Sequence, residues 1–387
     1  MDHIFRTIAC VALSVALSVA LAPLLAAESE SKGGRFERVR LTPPDQFCAY
    51  SGYNTSPEST DGKLISYTKW DGKPTDAKWG KHGEIWVCDR DGANHRKVAD
   101  VANDNVHNGA ELNWIDDTFA TARNVVVGEK VGSVVLNMQT AEVVHGPYVG
   151  LSIIHEAANG LAIGMVNRKD GPMAEGIWTV DVRTGETKHL LSKRDLLPWK
   201  EKMKEGSDDV DDWGISHPEW SPSGEYFAFV LFHNWRQGYQ FFYTADGAFH
   251  AFFGKKLSHP NWYDDEHVFG GQGNRTLLAK LDGTIVKTVA GPSAHPALSP
   301  DGKWIVTETH WNRPKVTIVR YPWGSTKGQV IDEHRHGKIT WDIKAHTNPS
   351  FGHDSSRIYY IKPNTEGYVE CWYAVAPEAD RDARAEP

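Results

Sequence analysis

The segment SHPEWSPSGEYFAF at residues 216–229 decides the fold of this chain, because variants of it recur three times. The variants are SHPNWYDDEHVFGG (258–271), AHPALSPDGKWIVT (294–307) and HTNPSFGHDSSRIYY (346–360). Each reads as a turn of Ser, Pro, Asp and Gly that leads into an alternating apolar strand. One such unit cannot bury a core by itself, so the repeat predicts a closed ring of blades.

The whole chain after its N-terminal region divides into strand-rich units of this kind. Their approximate bounds are 45–100, 101–146, 147–192, 193–254, 255–291, 292–336 and 337–377. These units predict an all-β, seven-bladed β-propeller over residues 38–377. The charged interruption at 193–213 begins with a stretch that could form a short helix. We expect it to be either a lid over one face of the ring or a solvated insertion.

One position recurs in phase across the repeats, seven residues before the end of the turn. His217, His259 and His295 hold it in three repeats, and Asn348 holds it in the fourth. Strand alternation adds His346 to the same face. The predicted cluster consists of Glu111, His217, His259, His295, His346 and Asn348. Because similar blades place one phase at one radius, we expect these side chains near one mouth of the central channel.

Imidazole and oxygen donors of this kind suit a borderline divalent metal such as Mn, Fe, Co, Ni or Zn. The cluster therefore predicts a metal site or a catalytic site. The alternative is structural, since a His before Pro can hydrogen-bond a neighbouring blade, and polar groups that line a wet channel cost little. The dipeptide His155-Glu156 lies two residues from the recurring phase and could also face the channel.

Two Trp–Arg combinations follow strands of the fourth and sixth units. They are Trp235 with Arg236, and Trp311 with Arg313. Each could offer a stacking face and a guanidinium group to an acidic sugar. A cation–π contact within a loop is the alternative interpretation.

Composition and missing motifs exclude several classes of protein. The chain of 387 residues carries a formal charge of −8 that is spread along it, so nucleic acid is not an expected partner. It has no GxSxG, HExxH, P-loop or credible GxGxxG sequence, so serine hydrolases, zincins and nucleotide-binding proteins have no motif support. Cys48, Cys88 and Cys371 are predicted to be buried thiols. The alternative is a disulfide between Cys48 and Cys371 where the ring closes.

The two ends of the chain predict its location. Residues 1–27 combine Arg6 with a long apolar run, which is typical of a secretory signal with cleavage after Ala27. The run is also long enough for an uncleaved membrane anchor. Residues 28–37 are predicted to be a linker, and the polar tail at 378–387 is predicted to be disordered. We therefore expect a secreted or periplasmic protein.

Four longer segments resemble the oligogalacturonate lyases. They are RVRLTPPDQFCAYSGYNTSPESTDGKLISYT (38–68), GISHPEWSPSGEYFAFVLFH (214–233), LSHPNWYDD (257–265) and WDIKAHTNPSF (341–351). The resemblance covers most of residues 38–377 in order and spacing. It implies a seven-bladed propeller related to that of TolB.

The resemblance also implies a metal and its ligands. Members of the family hold a divalent metal, typically manganese, with histidines and a glutamine at the mouth of the channel. Carried over by motif, the ligands here are His259, His346 and Asn348, and His217 matches the family's candidate base. This chain has Asn348 where the family has His. The family glutamine falls near Ile343, beside Asp342, and the family's arginine of the third blade has no clear counterpart.

Two functions follow as expectations. The first is a lyase that cleaves uronate-containing, pectin-type oligosaccharides by metal-assisted β-elimination. Its base would be His217, and Arg236 or Arg313 would pair with the substrate carboxylate. The predicted metal ligands are His259, His295, His346 and Asn348, and the predicted substrate contacts are Trp235, Trp311 and Glu111. The second expectation is a non-catalytic TolB-like propeller that binds a protein or glycan partner. A hydrolase would require a carboxylate pair, and only Glu111 is in phase.

Overall fold

The computed structural model describes most of the chain between residues 36 and 377. The described ranges are 36–52, 54–72, 82–102, 108–168, 171–203, 212–233, 237–309, 315–335 and 346–377. Four predicted site residues lie outside these ranges, namely Trp235, Arg236, Trp311 and Arg313. The predicted signal peptide and the predicted C-terminal tail also lie outside them.

The first sheet is antiparallel and has eight strands, which form two halves. Its strands are β2 (Phe47–Ala49), β3 (Leu64–Trp70), β4 (Gly83–Asp89), β5 (Arg96–Val101), β6 (Asn113–Trp114), β7 (Phe119–Val127), β8 (Lys130–Asn137) and β9 (Glu142–Tyr148). The order is β2-β3-β4-β5-β7-β8-β9, with β6 also paired to β7. A single strand-pairing contact, Val101 with Val125, joins β5 to β7. The two halves also share a buried apolar cluster.

Four further antiparallel sheets follow, each with four strands in chain order. The second sheet contains β10 (Ser152–Ile153), β11 (Leu161–Val166), β12 (Gly176–Asp181) and β13 (Thr187–Ser192). The third contains β14 (Trp213–Trp220), β15 (Tyr226–His233), β16 (Gln237–Thr244) and β17 (Phe249–Lys255). The fourth contains β18 (Ser258–Asp264), β19 (His267–Gln272), β20 (Arg275–Lys280) and β21 (Ile285–Ala290). The fifth contains β22 (Ala297–Leu298), β23 (Trp304–Thr309), β24 (Lys315–Pro322) and β25 (Gln329–Arg335).

The sixth sheet joins the two ends of the described chain. It contains β26 (Ser350–Phe351), β27 (Arg357–Pro363) and β28 (Val369–Val375), and β1 (Glu37–Arg40) pairs with β28. In this pairing Val39 lies opposite Tyr373. The guanidinium of Arg38 also donates to Asp332 at 2.7 Å, which ties β1 to the fifth sheet. The prediction of an all-β fold is confirmed, and the N-terminal strand completes the last sheet.

The repeated turn explains why the first strands of the sheets are so alike. Gly224 and Gly302 have φ angles of 74° and 71°, in the left-handed region that glycine adopts without a steric penalty. Their amides donate to the carbonyls of Ser221 and Ser299 at 2.9 and 2.8 Å. The strand that follows each turn buries its apolar residues between neighbouring sheets, as Phe227 does at 0% exposure.

The interruption at 193–213 begins with a 3-10 helix over Lys193–Lys202, as expected. Ser192 and Asp195 cap its start through a reciprocal pair of side-chain to backbone hydrogen bonds. Trp199 packs on Phe249 and Phe252, with ring centroids 4.3 and 5.4 Å apart. The described part of this segment therefore packs against β17, the outer strand of the third sheet. Residues 204–211, on which the lid prediction also rests, lie outside the described residues.

The cysteine alternative is settled in favour of thiols. Cys48, Cys88 and Cys371 are all free and buried, so the disulfide considered between Cys48 and Cys371 is wrong. Within the described ranges, no helix has the length and apolarity needed to cross a bilayer.

Candidate functional site

A shared irregularity in the first strands orients the recurring residues. The pairing of β14 with β15 shifts register between Ser216 and Glu219, and β18 shifts in the same way between Ser258 and Asn261. The backbone of the histidine within each shift, His217 or His259, has a positive φ angle and lies in the left-handed region of conformational space. Positive φ values also occur at the other in-phase positions Glu111 and Asn348; the four angles are 47° (Glu111), 52° (His217), 46° (His259) and 39° (Asn348). This conformation costs a residue with a Cβ about 1–2 kcal/mol. Such strain is typical of residues that are held for function.

The serine before each of these two histidines fixes the imidazole ring. Ser216 Oγ and His217 Nδ1 are hydrogen-bonded at 2.6 Å. Ser258 Oγ and His259 Nδ1 form the same contact at 3.2 Å. The repeated Ser-His-Pro sequence therefore builds the same local arrangement in the third and fourth sheets, in which Nδ1 is engaged by the preceding hydroxyl.

Three of the predicted metal ligands lie in one continuous series of ring contacts. The centroids of His259 and His295 are 4.2 Å apart, and those of His295 and His346 are 5.0 Å apart. His295 is 1% exposed and Asn348 is 5% exposed. The structure thus brings together imidazoles from the fourth, fifth and sixth sheets, which are far apart in sequence.

Glu308, on β23, supports the middle histidine of this series. Its carboxylate accepts a hydrogen bond from Nδ1 of His295, and both side chains are withdrawn from solvent. Burial lowers the pKa of His295 to about 3, so the ring is neutral at pH 7. Our sequence reasoning missed Glu308. The sequence feature that points to Glu308 is a charged residue at the end of the segment WIVTE (304–308), whose other residues are apolar or small.

The chemistry of this histidine series fits a divalent metal. Neutral imidazole is the commonest metal ligand in proteins, and a carboxylate behind a ligating histidine is the usual way to orient it. Within the described ranges, no three His, Cys, Asp or Glu side chains are already grouped to hold an ion. A shared ion would therefore require the outer rings, His259 and His346, to rotate toward His295.

His217 lines a cavity of about 760 Å³. Among the described residues that line it, His259, His295 and His346 do not occur. The ring of His217 lies 6.1 Å from that of His155, centroid to centroid. His217 therefore lies between the cavity and His155, which comes from the second sheet.

Glu111 is engaged in hydrogen bonds at the wall of this large cavity. Its Oε2 accepts from Arg123 at 2.6 Å, and its Oε1 accepts from Asn108 at 3.0 Å. Arg123 and the exposed Arg168 both line the cavity. Because Glu111 pairs with Arg123, the net positive charge among these described side chains comes from Arg168, which was not among the predicted site residues.

A second, smaller polar cavity lies where the first strands of several sheets end. Its volume is about 240 Å³, and its lining includes Trp220, Trp262, Leu298 and Phe351. Because these residues come from four different sheets, the first strands surround a common space. Two carboxylates, Glu156 and Glu219, also line it.

Comparison with solved structures supports the fold. The chain is similar to an oligogalacturonate lyase in complex with manganese, with a TM-score of 0.61, 15% identity, and coverage of 91% of this chain and 96% of that chain. It is also similar to an oligogalacturonate lyase from Vibrio parahaemolyticus, with a TM-score of 0.60, 16% identity, and coverage of 91% and 97%. The β-propeller domain of Cps50 (Swd1) from Myceliophteria thermophila gives a TM-score of 0.50 at 10% identity, covering 86% of this chain and 100% of that domain.

These likenesses confirm that the fold resembles that of the oligogalacturonate lyases. At such identities the likeness concerns the fold alone. No protein-family model and no curated protein matches the chain.

Proposed function

We propose that this protein is a secreted or periplasmic lyase that cleaves uronate-containing oligosaccharides by metal-assisted β-elimination. The observation that carries the proposal is the contact series of His259, His295 and His346, in which Glu308 holds the central ring. This series lies in a fold similar to that of a manganese-bound oligogalacturonate lyase.

The proposal includes a seven-bladed architecture. The eight-stranded first sheet would count as two blades, because only one strand-pairing contact joins its halves. With the other five sheets this gives seven units of four strands. The pairing of β1 with β28 would then close the ring.

The metal would be held by His259, His295 and His346, with Asn348 as an additional oxygen donor. Manganese is the favoured ion, and zinc, iron, cobalt and nickel suit the same donors. When bound, the metal would neutralise the uronate carboxylate and so acidify the neighbouring carbon.

His217 would act as the base. Its ring lines the 760 Å³ cavity, which can accommodate a sugar residue, and Ser216 fixes Nδ1. In the elimination the proton on the carbon next to the carboxylate moves to the imidazole. The electron pair of the broken carbon–hydrogen bond forms the new carbon–carbon double bond, and the bond to the 4-linked oxygen breaks. The departing oxygen is then protonated by the imidazolium or by water.

The described residues offer their own partners for an acidic sugar. Arg123 and Arg168 line the cavity beside His217, and Arg123 already binds the carboxylate of Glu111. We propose that these two arginines attract the uronate carboxylates. Arg236 and Arg313, with Trp235 and Trp311, remain proposed contacts outside the described residues.

The test is an elimination assay on polygalacturonate and its oligomers, followed by the ultraviolet absorbance of the unsaturated product. With added manganese, the wild-type protein should produce this product. His217→Ala should lose at least about 100-fold in kcat, the usual scale for losing a general base, and should keep its bound metal. His145→Ala is the control and should be unchanged in kcat, because its half-buried imidazole on β9 hydrogen-bonds the carbonyl of Arg183 and lies outside the cavity. Absence of product across a panel of uronic-acid polymers would contradict the proposal.

The second candidate is a non-catalytic propeller that binds a protein or glycan partner. The observation in its favour is that no metal-ready group of three side chains occurs in the described part of the chain. Binding of intact acidic oligosaccharides without turnover, unaffected by metal removal, would support this function instead.

A further inference from the structure

The smaller polar cavity holds two carboxylates that the proposed reaction does not use. Asn54 donates to Oε1 of Glu219 at 2.9 Å, and the backbone amide of Ser56 donates to Oε1 of Glu156 at 3.3 Å. Glu219 is half-buried, whereas Glu156 is exposed toward the cavity. Two acids from different sheets therefore face one cavity of about 240 Å³.

The charge in this cavity is not balanced by its walls. Among the described residues that line it, no Lys or Arg occurs, and His353 is the one basic side chain. The surrounding protein disfavours ionisation, and the like charge of Glu156 adds to this effect, so the pKa of Glu219 rises to about 8. The pair therefore retains a proton at neutral pH unless a cation enters.

A buried histidine supplies a third acceptor. His155 lines the adjoining 180 Å³ cavity together with Glu156 and Glu219, and it is 5% exposed. Its Nε2 has no hydrogen-bond partner among the described residues. Burial lowers the pKa of His155 to about 4, so at pH 7 the ring is neutral and can accept a hydrogen bond.

The aromatic lining distinguishes between kinds of cation. Trp220 and Trp262 both line the 240 Å³ cavity. The Nε1 group of Trp220 donates to the carbonyl of Leu161 at 2.8 Å, and that of Trp262 donates to the carbonyl of Glu219 at 3.4 Å. The indole rings are thereby held in place at the cavity wall. Indole faces attract organic cations, and three separate acceptors match the three donors of an ammonium group.

We propose that the two adjoining cavities together bind a primary ammonium group. Glu156, Glu219 and Trp220 line both cavities, His155 lines the smaller and Trp262 lines the larger. The group would belong either to a small amine or to a lysine side chain of a peptide. The proposed lyase reaction does not use this site, although the site borders the proposed base. The ring centroid of His155 lies 6.1 Å from that of His217, and Glu219 is two residues after His217 along β14.

The test is calorimetric titration of the full chain with butylammonium, with butanol as the neutral ligand of similar shape. A second pair of ligands is lysine amide acetylated on its α-nitrogen and the corresponding norleucine compound. This pair tests whether the ammonium group belongs to a peptide lysine and not to a small amine. The variants are Glu219→Gln and Glu156→Gln, with Glu225→Gln as the exposed control from the same turn. Thermal melts show which variants fold, and either cavity variant alone is sufficient for the test.

We expect saturable binding of one ammonium ligand per chain, weakened at least tenfold in both cavity variants and unchanged in Glu225→Gln. Butanol and the norleucine compound should not bind. Titrations in two buffers of different ionisation enthalpy should show net proton release from the Glu156–Glu219 pair. The other titratable groups around the pair are His155, His217 and His353. Absence of ammonium binding would overturn the proposal. Equal binding by the cavity variants, or equal binding of butanol, would also overturn it.

Discussion

His295 and Glu308 form a buried pair in which the histidine Nδ1 donates to the carboxylate, and neither side chain is exposed beyond 1%. His295 lies just before β22, and Glu308 lies on β23 of the same sheet. It fixes the orientation of the ring that contacts both His259 and His346. The central claim of the proposed function therefore depends on this pair.

Replacing the carboxylate should weaken metal binding while the ligands remain. Glu308→Gln is expected to lower manganese affinity about 10–100-fold, the usual effect of losing the carboxylate behind a ligating histidine. Titration with manganese measures it directly. Glu333→Gln, at an exposed glutamate that pairs with Lys315, is the control. Equal affinity in both variants would show that Glu308 does not support a metal ligand.

The serine before each oriented histidine should matter in a different way for each ring. Ser216→Ala is expected to lower kcat about tenfold, and Ser258→Ala to lower manganese affinity about tenfold, since each loses one hydrogen bond to an imidazole. Steady-state kinetics and metal titration separate the two effects. If both variants changed only thermal stability, the serines would be structural.

Arg168 should contribute to substrate affinity more than to turnover. Arg168→Gln removes an exposed cation from the wall of the 760 Å³ cavity. It is expected to raise KM for acidic oligosaccharides about tenfold, which corresponds to one charged hydrogen bond of about 1.4 kcal/mol, with kcat little changed. An unchanged KM would remove Arg168 from the substrate site. Arg183→Gln, on a turn of the second sheet, is the matched control.

The contact between β1 and the fifth sheet should make stability depend on pH. Asp332 is buried and accepts from Arg38 at 2.7 Å, Lys362 at 3.2 Å and Tyr360 at 3.0 Å. Burial alone would raise the pKa of Asp332, but Lys362 and Arg38 outweigh it, so the pKa is lowered. This contribution to stability is therefore present above the ordinary pKa of about 3.9 and is lost as the pH falls through the lower folded value.

Asp332→Asn is accordingly expected to reduce the free energy of unfolding at pH 7 by about 3–5 kcal/mol, because it leaves two cations uncompensated. The difference from wild type should shrink as the pH falls below about 3.9. Denaturant unfolding at several pH values provides the measurement, and Asp45→Asn, at an exposed position, is the control. A difference that does not change with pH would contradict this account.

The sequence predicted the strands, the repeat and the contact of His259, His295 and His346, because residues in one phase of a repeat lie at one level of the structure. It did not predict the left-handed backbone at His217 and His259. A residue before proline ordinarily favours extended backbone, and only strand pairing shows the register shift.

The partners of the predicted residues were also beyond the sequence. Glu308 lies on β23, the second strand after His295, and Arg123 reaches Glu111 from β7. Neither contact corresponds to a recurring sequence spacing that could predict it. The Glu156–Glu219 pair joins two sheets and depends on how they face one another. The carboxylate pair that a hydrolase would require is thus present, in residues outside the recurring phase. The cavity that this pair lines contains no Lys or Arg among the described residues, which favours binding of a cation.

The most direct test of the central claim is the metal content of the purified chain (residues 28–387) by elemental mass spectrometry. Wild type and His259→Ala would be compared after incubation with manganese or zinc and desalting, with His267→Ala as the control from the same sheet. The account predicts about one equivalent of a transition metal in wild type and in the control, and loss of it in His259→Ala. Absence of bound metal in wild type, or full retention in His259→Ala, would contradict it.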